Sequence, residues 1–347
     1  MSPAAAPNSA SVLVGSGRFR YRALERWQQL PAGWDLVEVA GVATDSEDRV
    51  YVFNRGEHPV IVFDREGNFL SSWGEGVFAQ AHGIFIGPDD AVYTVDDNGH
   101  TVRKFTSAGK LLWTLGTHGK ASETGAVGHD YRTIQRAGPP FNTPTNLALA
   151  PGGEMYITDG YGNARVHKYS PDGRLLFSWG QPGSGPGEFH LPHGIAVDRR
   201  GTVYVADREN SRIQLFSPDG KYLDQWPGVA RPCQIFVDRE DYFYVAEVGY
   251  RAGMYPGNEP PADHDAAPGP ATGGRVSIFS ASGELVARWG GGENPCAVGD
   301  FFAPHDIWVD SRGDVYVGEV TMSAGGRKGL VSPDCHSLQK FVREKQP

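Results

Sequence analysis

Along most of the chain, apolar residues come in short alternating runs that end in Asp, Pro or an aromatic residue, separated by turn-formers. Runs of this length and period read as strands rather than helices. Six segments repeat one order: an apolar run, a turn, a Val/Tyr-rich run, a polar loop, a run ending in Phe or Tyr, a Gly turn, then Trp-Gly. The first covers residues 41–74, with GVATD, RVYVF, PVIVFD and FLSSWG; the others cover 82–116, 145–180, 193–228, 233–290 and 305–342. Each holds four strand candidates, a to d, separated by turns such as Pro171-Asp172-Gly173 and Pro218-Asp219-Gly220. Four-stranded units at roughly 40-residue spacing read as propeller blades. The sixth unit stops after SLQKFV, without a Trp-Gly strand, while residues 20–28, including Tyr21-Arg22-Ala23-Leu24-Glu25-Arg26-Trp27, are spare. Pairing the two closes the ring and removes an exposed edge. The expectation is an all-β, six-bladed β-propeller forming a single domain over residues 18–347, preceded by a flexible N-terminus, 1–17.

Strands a and b run antiparallel, so the start of a and the end of b share one face. The a–b turns (DSED, GPDD, APGG, DRRG, DSRG) and c–d turns (REGN, SPDG, SASG) are short. Extra sequence falls in d–a and b–c connections, at 117–144, 250–274 and 321–335. One face is therefore plain and the other decorated, and long loops on a rigid scaffold are where function concentrates.

The first position of strand a in the six units holds Ala40, His82, Thr145, His193, Cys233 and His305. The histidine gaps are nearly equal, 193 − 82 = 111 and 305 − 193 = 112. Histidine thus occupies alternate blades on the innermost strand, which places three imidazoles around the central channel. Three neutral imidazoles with an open fourth position match a catalytic zinc site, although other divalent metals accept imidazole. A lone channel histidine more often bonds only a backbone carbonyl; three in one register argue for a metal. The other eight of the 11 histidines share no repeat position and are expected to be structural. Cys233 is either a fourth ligand or a small buried residue, with the latter expected.

The b–c loops on the same face offer Arg55 (FNRGEH), Tyr161 (TDGYGNAR) and Arg208 (ADRENSR). Guanidinium binds carboxylate bidentately, and a phenol beside a cation can serve as a base. These three are the candidate catalytic residues. The recurrent Asp159 with Arg165 and Asp207 with Arg212 are expected to tie blades together.

Composition narrows the partners. The formal charge of −9 is spread without blocks, which argues against nucleic acid or an anionic membrane surface. The three cysteines are too few and scattered for a disulfide framework. The start of the chain is Ala/Pro/Ser-rich without a signal-peptide pattern, and no run approaches the roughly 18 apolar residues of a membrane span. These features predict a cytoplasmic monomer of a reducing compartment. The Pro/Gly-rich segment 256–274 has the composition of a disordered loop.

The repeats resemble NHL-type propeller repeats. From about Gly41 to Val342 the chain is similar to the peptidyl-α-hydroxyglycine α-amidating lyases, through VFNRGEH, HGI, TDGYGNAR, FHLPHGIAV, VADRENSRIQLF and PHDI in that order. The resemblance implies catalytic zinc (Zn2+) on His82, His193 and His305, with Arg55 and Tyr161 serving catalysis. It also implies a structural calcium (Ca2+) held by Asp306 and the backbone carbonyls of Val42 and Ile84. The implied reaction splits the C–N bond of an N-acyl- or peptidyl-α-hydroxyglycine into a primary amide and glyoxylate. The partner is then a small molecule or peptide ending in a hydroxyglycine-like group. Gly162 stands where the animal enzymes carry a paired cysteine, Ala303 where methionine is usual, and the insertions 117–144 and 250–274 are this chain's own. Two other readings remain: a calcium-dependent propeller lactonase, whose ion wants converging Glu, Asn and Asp, and a non-enzymatic NHL interaction module without metal.

Overall fold

A computed structural model describes residues 11–24, 26–251, 253–254 and 272–344. Its strands form six antiparallel sheets arranged as propeller blades. The innermost strands are Val39–Thr44, Ala81–Ile86, Pro144–Leu149, Pro192–Val197, Pro232–Val237 and Pro304–Val309. In the first five blades each is followed outward by strands b, c and d in chain order. Burial falls along the same direction. Strand a of the first blade is buried at every position, whereas the outermost strands expose Leu70, Leu111, Leu112, Leu175, Leu176 and Leu223.

In four units a Trp at the end of strand d joins neighbouring blades. Trp73, Trp179, Trp226 and Trp289 lie against Phe105, Phe216, Phe279 and Phe341 of the following blade, with ring centroids 5.0, 5.5, 6.1 and 5.4 Å apart. Such ring pairs add roughly 0.5–1.5 kcal/mol each beyond the area they bury. The c–d turn of the following blade presses a glycine onto the indole: Gly109 on Trp73, Gly220 on Trp179 and Gly283 on Trp226, all with positive φ. Any side chain there would meet both strain and the ring.

Closure uses the N-terminal stretch. Phe19–Leu24 pairs antiparallel with Leu338–Arg343, from Tyr21 opposite Arg343 to Leu24 opposite Lys340. Trp27 then takes the place of the missing Trp-Gly indole, 5.7 Å from Phe63 of the first blade and 5.4 Å from Tyr316 of the sixth.

Three expectations change. Residues 11–16, assigned to a flexible N-terminus, form a fifth strand on the last blade, joined to Phe19–Leu24 by a hairpin with Gly17 at φ 53; residues 1–10 lie outside the described residues. This hairpin lets the closing strand satisfy both of its edges. Cys296 and Cys335 form a disulfide across a separation of 39 residues. It ties the connection entering the sixth blade to that blade's b–c segment, a proximity that spacing in the sequence does not reveal. The cysteine argument for a reducing compartment therefore falls, since disulfides persist in oxidising ones. Asp159 does not pair with Arg165; it accepts from Asn163 and lies 3.3 Å from His167. Most of the expected loop 256–274 lies outside the described residues. Among the described residues no helix is long and apolar enough to cross a membrane.

Replacing Cys296 with Ser is expected to lower stability by about 3–4 kcal/mol, the loop-closure value for this separation. Urea unfolding checks it, and reductant should destabilise the wild-type protein but leave the variant unchanged.

Candidate metal centre

Every inner strand carries a bulge at the position of interest. In the second blade Ala81 pairs with Asp96 and Gly83 with Val95, so His82 is the extra residue. The same register shift falls at Ala40, Thr145, Cys233 and His305, and at His193 with Gly194. A bulge bends the strand and re-aims a side chain. Here it turns the three imidazoles toward one another.

The residue closing strand b holds that bulge in place. Asp96 accepts backbone N–H bonds from Ala79 and Gln80, Asp159 from Asn142, Asp207 from His190, Glu247 from Ala230, and Glu319 from Phe302 and Ala303. Each donor lies just ahead of its blade's strand a. Arg103, Arg212 and Arg275 neutralise three of these buried acids within their own blades. The expected ties therefore run within blades rather than between them.

The ring alternates in chemistry. His82 Nδ1 donates to the carbonyl of Thr145 (2.6 Å), His193 Nδ1 to Cys233 (2.8 Å) and His305 Nδ1 to Ala40 (2.7 Å). Each imidazole thus bonds the matching residue of the next blade. The bond assigns the proton to Nδ1 and leaves each Nε2 lone pair facing the axis. The imidazole centroids form a near-equilateral triangle of 4.8, 4.7 and 4.7 Å. One ligand atom from each histidine lies within 4.8 Å of the others. His305 Nε2 is buried without a hydrogen-bond partner. Burial, with neighbouring imidazole and the arginines next, pushes His82 and His193 well below the usual histidine range; burial and then Arg55 push His305 down to about 3. Three neutral, pre-oriented nitrogen donors fit a divalent metal such as zinc. Cys233 is buried and contributes its carbonyl, in keeping with the small-residue expectation.

One residue further along, the ring reads Gly41, Gly83, Asn146, Gly194, Gln234 and Asp306. A Cβ at Gly41 would sit 3.2 Å from Asp306 Oδ2, and one at Gly83 would sit 2.7 Å from the Thr145 carbonyl, so the strands approach closely. Asp306 is buried and accepts from the Val42 and Ile307 N–H groups. Burial pushes its carboxyl up to about 8. Because Val42 N–H faces the channel, its carbonyl on the same strand edge does too, and Ile84 occupies the matching register. An oxygen set of this kind fits a hard cation.

Above the histidines lies a cavity of about 400 Å³. All three candidate catalytic residues line it. The Tyr161 hydroxyl lies 3.2 Å from His193 Nε2 and 3.4 Å from His82 Nε2 and accepts from Arg208 Nη1 at 3.1 Å. Arg55 donates from Nε to the Ala81 carbonyl and pairs through Nη1 with buried Glu38. Sequence reasoning missed several neighbours. Glu209 bridges Arg208 and Arg231; against the cost of burial, Arg231 and then Arg208 hold its carboxyl down to about 2. His129, taken as structural, comes from the 117–144 insertion to lie over the Tyr161 ring at 4.8 Å. Ser323, on the short helix Thr321–Ala324, bonds Glu38 and Arg55. Asp97 also lines the cavity. Of these, His129 and Ser323 come from insertions, so only folding assembles them; Arg231 holds the register of Glu38 and Gln80, just ahead of strand a, and Asp97 and Glu209 sit beside or in the register of Arg208, signals that were available.

Residues 189–216 match the NHL repeat. The chain is 38% identical over 183 residues to NHL repeat-containing protein 3 from Mus musculus, covering 49% of each chain. It is 33% identical over 155 residues to peptidyl-alpha-hydroxyglycine alpha-amidating lyase 1 from Drosophila melanogaster, covering 42% of this chain and 27% of that protein. The chain spans about half the length of the first of these relatives and less of the second. A gluconolactonase from Xanthomonas campestris shares the fold at a TM-score of 0.58 and 15% identity, over 98% of this chain and 99% of that one. The chain is thus a propeller with one segment that matches the NHL repeat, and part of it is similar in sequence to proteins named as amidating lyases.

Replacing His193 with Ala is expected to remove stoichiometric metal, measured by elemental analysis, without loss of the β-sheet circular dichroism. Replacing Glu209 with Gln removes the buried carboxylate that both arginines pair with and should cost about 3–5 kcal/mol in urea unfolding. Because its folded pKa is depressed from 4.5, the wild-type advantage is present above that value and is lost as pH falls toward about 2.

Proposed function

We propose that this protein is a zinc-dependent carbon–nitrogen lyase acting on N-acyl- or peptidyl-α-hydroxyglycines, releasing a primary amide and glyoxylate. The observation that carries this reading is the convergence of three Nε2 atoms beneath a cavity lined by Tyr161, Arg55 and Arg208. Relatedness to a named amidating lyase supports it. A calcium held by Asp306 with the Val42 and Ile84 carbonyls would brace the channel beneath.

A divalent ion on the three imidazoles supplies Lewis acidity that makes a bound hydroxyl easier to deprotonate. Tyr161 is placed to take that proton, and the Arg208 guanidinium donating to its oxygen favours the phenolate. Arg55, fixed by Ala81 and Glu38, meets the substrate carboxylate. As the hydroxyl proton leaves, the O–H electron pair forms the second C–O bond of glyoxylate's carbonyl. The C–N pair then passes to the amide nitrogen, which takes up a proton. The insertion that brings His129 over Tyr161 forms part of the cavity wall.

The lactonase reading has the fold in its favour, yet the ring around the ion would be imidazole rather than Glu, Asn and Asp. An interaction module would need no metal. A glyoxylate-release assay on N-benzoyl-α-hydroxyglycine separates them: metal-loaded protein should turn over, and chelation should abolish it. Tyr161→Phe should lower kcat about 10²–10⁴-fold with metal content unchanged. Stoichiometric metal without glyoxylate would discard the lyase reading and keep the site.

A further inference from the structure

The first residue after strand b is, in blade order, Arg55, Asp97, Gly160, Arg208, Val248 and Val320, and Arg55, Asp97 and Arg208 line the cavity above the histidines. Two of these are the candidate catalytic arginines, and the acidic member, Asp97, lies beside Arg55. Asp97 lines the cavity and is 1% exposed. Its carboxyl accepts from Gln80 Nε2 at 3.1 Å and from the Asn98 N–H at 2.7 Å, with no cation within salt-bridge distance among the described residues. Asn98 orients Gln80 by donating to its Oε1, and His129 Nε2 meets Asn98 Oδ1 at 3.0 Å. A row of polar side chains therefore fixes this acid in the wall, linked to the imidazole that covers Tyr161.

The proposed cleavage leaves one demand unmet by Tyr161, Arg55 and Arg208. An amide nitrogen expelled as an anion is a very strong base, so it must be protonated as the C–N bond breaks. We infer that Asp97 is the acid that delivers this proton, which makes it a further catalytic residue; the inference rests on the lyase reading. The hydroxyl proton goes to Tyr161, the C–N electron pair goes to nitrogen, and nitrogen takes the Asp97 proton. The Tyr161 hydroxyl and the Asp97 carboxylate then re-equilibrate through solvent at the open cavity.

Burial pushes the Asp97 carboxyl up to about 7, with Arg55 and the Asn98 N–H opposing and Asp96 assisting. A substrate carboxylate on Arg55 offsets its charge and raises the acid further. A dication on the imidazoles, and His129 if protonated, act the other way. Because the acid must be protonated, kcat should fall as pH rises through its pKa.

The test uses metal-loaded protein with N-benzoyl-α-hydroxyglycine and its 4-nitrobenzoyl analogue, whose amide is the better leaving group. Asp97→Asn should lower kcat about 10²–10³-fold on the benzoyl substrate, with metal content unchanged. It should lose the basic limb of the kcat–pH profile and be clearly less impaired on the nitro substrate. Activity within about threefold of wild type, or equal loss on both substrates, would overturn the inference and leave the lyase reading standing. Absence of glyoxylate from wild type would overturn both. Should Asp97→Asn fail to fold, the wild-type profile decides: a kcat flat from about pH 6 to about pH 9 rules out an acid of this kind.

Discussion

The hydrogen bond from each channel imidazole to the carbonyl of the next blade is the constraint on which the rest of the site depends. Its net contribution is small, about 1 kcal/mol. Its alternative is expensive, because a buried N–H left without a partner costs about 1–3 kcal/mol. The three Nδ1 atoms are therefore committed outward, and the three Nε2 atoms have only the axis to face. Alternation follows from the same bond. The even blades supply imidazoles, and the odd blades supply carbonyls from Thr145, Cys233 and Ala40. A histidine in every blade would crowd the axis and leave no small neighbour to receive each ring.

That geometry requires strands that start in register within a fraction of an ångström. The acid closing strand b does this in five blades by accepting backbone N–H groups from the chain entering strand a. The inter-blade Trp–Phe contacts then set the angle between neighbours. The last such contact is made by Trp27, so the closing N-terminal stretch completes the geometry of the metal centre as well as the edge of the sheet.

The cavity above the ring is lined mainly by polar and charged side chains, with Arg55, Asp97 and Arg208 rising from the first, second and fourth blades, while Val248, Val320, Met254 and Phe302 pack into a buried apolar cluster by the fifth and sixth. The arginines are held by Glu38 and Glu209, so their positions are set before a substrate arrives. Pre-placed charge of this kind suits a ligand with an anionic end.

The sequence alone determined the blade count, the face that carries the candidate site, the closing strand and the three-histidine ring, because each is a property of a repeat and repeats are local. Arg55, Tyr161 and Arg208 were legible for the same reason: each lies at or next to the end of strand b. The tertiary structure decided what no repeat encodes. The Cys296–Cys335 disulfide, the fifth strand 11–16 and His129 over Tyr161 all join segments far apart in the chain or outside the repeating register. Asp97 was visible as a residue but not as a site, since only the fold shows a carboxyl buried beside Arg55 in the wall of the cavity. Periodicity can state which face a side chain takes; burial and partnership, which set its chemistry, arise only when the ring closes.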